Sequence, residues 1–217
     1  MALKRGNEIP TIDVALVTIS VPSRGQELAL NTASKLGVNP QTETKDAVKL
    51  VVKDRLIAQK PASTTITGHT LVVTDNVFIA EVVKILQGGT IKYFANAEGT
   101  EESDTDAGFG VKSYEPPVIG SAEKGEVFVL NAYSAIYNAA GTVTGYEKIQ
   151  YPNCQGVPLA LSSEDGVFRV SEYTINSAPD TGEAPYKLEY VKTLPDVDAV
   201  DSNARVDAAR VGTAKIG

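Results

Sequence analysis

A chain of 217 residues with 42% hydrophobic content is long enough for one domain with a sizeable core, and too apolar to be disordered. A single Cys excludes an internal disulfide framework, and one Cys with one His all but excludes a metal site built from those ligands. The net charge of −7 leaves no basic surplus for gripping nucleic acid.

In chain order, residues 1–10 read as an N-terminal arm. "VALVTISV" (14–21) is too short to span a bilayer. Lys4 and Arg5 precede it as in a signal peptide. However, Glu8, Pro10 and Asp13 intervene and no small-residue cleavage site follows, so a β-branched strand over 13–21 is expected. A strand over 27–35 follows. In "AVKLVVKDRLIAQK" (47–60), Val48, Leu50 and Val52 alternate with Lys49, Val51 and Lys53, which predicts a strand ended by Pro61. "TTITGHTLVVTD" (64–75) reads as strand, tight turn at Gly68, strand.

"TDNVFIAEVVKILQGG" is the one clear helix, expected over about 76–87. Phe78, Val82, Ile85 and Leu86 form its packing stripe, widened by Ile79 and Val83. Asp75 or Asn76 would cap its start, and Gly88 and Gly89 would stop it. So apolar a stripe must lie against a sheet.

Residues 95–120 read as a long acidic loop. Its stretch 97–110 holds Glu98, Glu101, Glu102, Asp104 and Asp106 with no Lys or Arg, and without these five the chain is nearly balanced. A loop of this length is commonly functional. Strands are then expected near 126–137, 144–151, 155–161, 166–176 and 186–192, with turn chemistry over 177–185. From Pro195 the chain is small and polar, a C-terminal tail or arm over 195–217; residues 1–194 form a single β domain.

No catalytic constellation is visible. Cys154 reads as a small half-buried residue, His69 as a turn residue, and Val143 stands where "GTVTG" would need a nucleophile. "DTDAG" (104–108) lacks the ligands of a calcium loop. The expectation is no enzyme, no cofactor and no metal.

Four segments taken in order, "LALNTASKLGVNPQTETKDAVKLVVK", "KPASTTITGHTLVVTDNVFIAEVVKILQGG", "YEPPVIGSAEKGEVFVLNAYSA" and "YEKIQYPNCQGVPLALSSEDGVFRVSEYTINSAPDTGEAPY", resemble the major tail protein, or tail tube protein, of tailed bacteriophages and phage-like particles. They span most of residues 28–186. The resembling sequences begin the helix with Thr-Pro-Glu, where this chain has Ile79-Ala80-Glu81. The resemblance implies a mainly β fold, a two-sheet β-sandwich or barrel-like tail tube fold with one flanking α-helix. It implies a structural virion protein of homohexameric rings stacked into a tube that conducts DNA during ejection. Implied partners are further copies, other tail proteins, the tape-measure protein and, in contractile tails, a sheath. DNA would pass without specific binding and no membrane would be entered. The place would be the virion tail, assembled in the host bacterial cytoplasm. Glu101, Glu102, Asp104 and Asp106 are then candidates for an inter-ring loop. Alternatives are the tube of a phage-tail-like bacteriocin, a β-sandwich module binding a ligand or cell surface, and a hydrolase using His69. Nine Tyr permit a binding pocket, but zero Trp argues against a carbohydrate platform.

Overall fold

The computed structural model describes residues 10–106, 108–161 and 164–196. The expected N-terminal arm, apart from Pro10, and the expected C-terminal extension beyond Asp196 lie outside the described residues.

The strands are β1 (Thr11–Val21), β2 (Gln26–Leu30), β3 (Ala33–Lys45), β4 (Val48–Val52), β5 (Arg55–Lys60), β6 (Ser63–Asp75), β7 (Thr90–Phe94), β8 (Glu102–Ser103), β9 (Val111–Glu115), β10 (Phe128–Tyr137), β11 (Val143–Gly156), β12 (Ser171–Ser177) and β13 (Lys187–Val191); the helix α1 is Ala80–Gln87. The mainly β class with one helix is as expected. The two layers come from one 8-stranded antiparallel sheet in the order β2-β1-β10-β11-β12-β6-β3, with β13 on β11. The sheet does not close into a barrel.

The fold of this sheet onto itself is set at β11. Its first half pairs β13 through Tyr146–Gln150, and its last residues Cys154–Gly156 pair β12. Between them Asn153 takes a left-handed φ of 46°, and the register with β10 shifts between Leu130 and Phe128. A bulge of this kind bends a strand and increases its twist. The two halves then face each other: Val17, Ile19, Phe128 and Leu130 from one side and Leu71, Val73, Tyr173 and Ile175 from the other share one buried core. Alternation explains which residues these are in β6 and β12, where every second position points inward, whereas β1 is buried on both faces from Leu16 to Ile19 and gives Val17 and Ile19 to this core.

The helix is shorter than its sequence suggests. It starts at Ala80, so Phe78 lies in a non-helical lead-in rather than on the helix. The reason is local. Asp75 ends β6, and its Oδ1 accepts hydrogen bonds from the Thr32 hydroxyl and from the Val77 N–H at 3.3 Å. This closes a bend over Asn76 and Val77 and delays the helix to beyond Ile79, the N-cap residue (φ −117°, ψ 111°), which has no side-chain cap; neither Asp75 nor Asn76 serves as one. Ile79-Ala80-Glu81 thus occupies the helix start, the place where the resembling sequences carry Thr-Pro-Glu. Phe78 still packs on the core, with the Arg169 guanidinium 4.6 Å from its ring centroid.

Val82, Val83, Ile85 and Leu86 are buried as anticipated. Gly88 and Gly89 stop the helix at φ 84° and 99°. The last carbonyls find donors: Glu126 N–H reaches Ile85 O at 2.7 Å, Gly88 N–H reaches Lys84 O at 2.8 Å, and the Tyr114 hydroxyl donates to Gly88 O at 2.6 Å. The helix covers the core between β11 and the small sheet β8-β7-β9.

Three further expectations are corrected. Residues 47–60 are a hairpin rather than one strand, because Lys53 and Asp54 take φ of 49° and 62° and make a two-residue turn. Gly68 is no turn: β6 runs unbroken from Ser63 to Asp75 with a register shift against β3 at that point. Residues 157–161 and 166–170 form no strand.

Candidate interaction surfaces

The most conspicuous surface is an arm. Beyond the body, β3 and β6 stay paired from Thr42 with Ile66 to Lys45 with Ser63, and β4 and β5 continue outward. At roughly 3.3 Å per residue this ribbon reaches on the order of 35 Å. All of residues 42–66 are exposed except Ala47, which is half-buried. Their composition is wrong for solvent. Val48, Leu50 and Val52 line one face of the β4–β5 hairpin with Ala58, Val51 and Leu56 lie on the other, and Ile57 is the extra residue at a bulge. Val48 is 66%, Val51 53% and Leu56 51% exposed. A two-stranded ribbon is marginal in water by itself, and apolar side chains contiguous on both faces are characteristic of interaction surfaces. The alternation of Val48, Leu50 and Val52 is legible in the sequence, whereas the turn at Lys53-Asp54 departs from the single strand expected over 47–60. Lys-Asp flanked by two apolar alternations was the available signal.

The acidic segment is more ordered than a solvated loop. Within 95–120, β8 and β9 flank β7 on either side, with Tyr93 opposite both Ser103 and Val111. Two lysines that the window 97–110 omits neutralise part of it: Lys92 pairs with Asp104, and Lys112 Nζ lies 2.6 Å from Glu102 Oε1. The Lys112 hydrogen bond and charge hold the Glu102 carboxyl below its ordinary range, while Asp104 raises the Lys92 ammonium. Glu101 is exposed, and Asp106 Oδ1 accepts the Gly108 N–H at 2.7 Å. The four candidate inter-ring residues therefore share one edge of the molecule, but two of them are tied to lysines.

A groove of about 450 Å³ runs between β2, α1 and β7. β2 ends the large sheet, and its outer edge has no strand partner among the described residues. Leu28, Ile79, Val82, Ile85 and Ile91 give the groove an apolar floor, the incompletely closed margin of the core. Glu81 and Asp106 converge at Tyr93, whose hydroxyl donates to Glu81 Oε1 at 3.4 Å. Burial first, then these two carboxylates, push the Tyr93 hydroxyl up to about 12. Arg24, also at the rim, is engaged by Glu126 at 2.5 Å.

Two residues weighed for chemistry sit inside the fold. Cys154 is fully buried, its thiol pushed up to about 11 by burial. His69 is a buried strand residue, not a turn residue. Its ring meets Tyr151 and Tyr186 edge-on at centroid distances of 5.3 and 5.5 Å, and its Nδ1 has no hydrogen-bond partner among the described residues. Burial lowers its pKa. No nucleophile stands in hydrogen-bonding reach of that nitrogen. Among the described residues, no group of three or more His, Cys, Asp or Glu is arranged to hold a metal ion, and no helix is long and apolar enough to cross a membrane.

No family model matches the sequence, and no curated protein matches it. Among solved structures, the chain is similar to one chain of the anti-feeding prophage (AFP) baseplate, determined by cryo-EM with 6-fold symmetrisation. The identity is 11%, the match covers 86% of this chain and 99% of that chain, and the TM-score is 0.37.

Proposed function

We propose that this chain is the tube-forming subunit of a bacteriophage tail or of a phage-tail-like particle. Copies close into homohexameric rings, and rings stack into a tube that conducts DNA during ejection. The observation that carries this reading is the arm, whose apolar side chains are uncovered on both faces. The sequence resemblance over most of residues 28–186 supports it.

The magnitudes favour a closed assembly over a simple pair. Covering six half-exposed Val, Leu and Ile side chains gains on the order of 1 kcal/mol each. Association costs an estimated ~4–15 kcal/mol in lost freedom. One arm contact is therefore marginal, whereas a ring in which every copy both gives and receives an arm is cooperative. In this reading the protein is structural, with no catalysis, metal or cofactor. Its partners are further copies, other tail proteins and the tape-measure protein, and the acidic edge at Glu101, Glu102, Asp104 and Asp106 lies between stacked rings. It resides in the virion tail after assembly in the host cytoplasm. A net charge of −7 suits a conduit that must not hold phosphates.

The test is mass measurement and negative-stain microscopy of the purified protein at rising concentration, beside a variant in which residues 46–62 are replaced by a short Gly-Ser turn. Rings or tubes are expected from the unaltered chain, and folded monomers from the shortened one. A chain that stays monomeric at every concentration overturns the reading.

A further inference from the structure

The arm of one chain is uncovered, and the groove beside β2 is unfilled by that same arm, because every arm residue apart from half-buried Ala47 is exposed. We infer that the groove between the free edge of β2 and α1 is the seat for the arm tip of a second copy, with Lys53 and Arg55 of the incoming tip against Glu81 and Asp106. This assignment rests on the proposed ring and names the contact that would build it.

Three features of the two surfaces match. The first is backbone. β2 has an outer edge with no strand partner among the described residues, and the incoming hairpin is itself a strand pair whose edges have none among them either, so one can extend the other. The second is side-chain chemistry. Val51 and Leu56 stand together on one face of the tip, one pair back from the Val52–Arg55 pair that flanks the turn. The groove floor of Leu28, Ile79 and Ile85 offers an apolar bed of matching kind. The third is charge. The tip "KDR" carries a surplus positive charge at Lys53 and Arg55, and the Tyr93 end of the groove carries Glu81 and Asp106. Arg24 does not offset them, since Glu126 holds it; Lys84 lies along the rim on the same helix as Glu81. Because arm and groove are different surfaces, the contact is head-to-tail. Such a contact repeats until it closes a ring or runs on as a filament.

Charge exchange tests this. Lys53→Glu with Arg55→Glu on the arm, and separately Glu81→Lys with Asp106→Lys on the groove, should each raise the concentration needed for assembly by about tenfold or more. The variant carrying all four changes should recover most of that loss. Thermal unfolding of each separated subunit shows whether it is folded. A second measurement does not depend on charge: Leu56→Cys and Ala29→Cys copies, mixed and oxidised in the assembled state, should form disulfide-linked pairs, with buried Cys154 as a silent background. Charge variants that assemble normally overturn the assignment. So does a loss that the combined variant fails to restore with no cross-link formed. If the unaltered chain never assembles, the ring reading itself falls.

Discussion

Leu86 of α1 rests directly on backbone at Gly156: a Cβ built on that glycine would lie 2.4 Å from Leu86 Cβ and 2.5 Å from its Cα. The last turn of the helix therefore sits on the end of β11 with no side chain between. Gly156→Ala must push the helix outward and should cost about 1–3 kcal/mol as overpacking. Leu86→Ala leaves a cavity at the same place and should cost about 2–5 kcal/mol. Lys84, half-buried on the other side of the helix, should tolerate Ala within about ±0.5 kcal/mol. Urea midpoints at unchanged slope measure all three. Equal midpoints for the Leu86 and Lys84 variants would show that the helix is not seated as described.

Cys154 makes a chemical prediction. It faces Phe128 across the β10–β11 pair, is fully buried, and has a thiol pushed up to about 11. Only thiolate reacts with maleimides or disulfide reagents. Near neutral pH the folded protein should remain unlabelled over hours and label completely in denaturant. Rapid labelling of the native protein would mean that this end of β11 opens. Under the proposed function, Cys154→Ser should still assemble, since the buried thiol is placed to pack rather than to react.

His69 should make the fold acid-sensitive. Its pKa is lowered by burial from 6.5, so the unfolded chain takes up a proton at a higher pH than the folded one. The stability this group supports is then full above 6.5 and lost progressively as pH falls from there toward the folded value. His69→Gln removes the titration. Between about pH 7.5 and about pH 5.5, the unaltered protein should lose more stability than the variant. Parallel losses in the two proteins would show that the imidazole protonates as freely in the folded chain as in the unfolded one. His69→Ala vacates the space between Tyr151 and Tyr186 and should lower stability; if the proposed tube is correct, rings and tubes should still form from the folded variant.

What the sequence makes legible here is what periodicity encodes. The β-branched run of β1 and the apolar stripe of α1 announce buried elements from one strand or a few turns of local chain. Features set by distant partners are hidden. Gly68 in "TGHT" looks like a turn, yet it lies within β6 because a Cβ there would meet Ser177 O at 2.4 Å; the glycine permits close approach of β12. The helix start was misplaced because Asp75, a good capping residue by type, spends its carboxylate on Thr32 and on the Val77 N–H. Neither partner is announced by local spacing. The acidic edge was legible by composition alone, and Lys92 and Lys112, which neutralise part of it, stand outside the window that defines it. The arm was visible as alternation but not as an arm, because exposure depends on what the rest of the chain leaves uncovered.

The acidic edge gives the remaining prediction. β7 and β9 pair directly from Thr90 with Glu115 to Tyr93 with Val111, and β8 adds only two residues on the far side of β7. Replacing residues 96–109 by a short Gly-Ser turn should therefore keep the β7–β9 pair and the helix above it, leaving the thermal midpoint nearly unchanged. If the edge lies between stacked rings, the same replacement should reduce tubes by more than the loss of rings that removing Asp106 from the seat of the arm causes. It also removes Asp106, so a second variant separates the contributions: Glu101→Gln, Glu102→Gln and Asp104→Asn retain Asp106 and the loop length while removing three charges. A purely electrostatic role makes this variant match the loop replacement, and makes tube yield from the unaltered chain vary with salt as the screening length shrinks from about 10 Å at 0.1 M to about 3 Å at 1 M. A role based on shape makes the amide variant stack normally while the shortened one does not. Full tube yield from the shortened loop at every ionic strength would remove this edge from the stacking contact and leave the arm as the surface on which assembly depends.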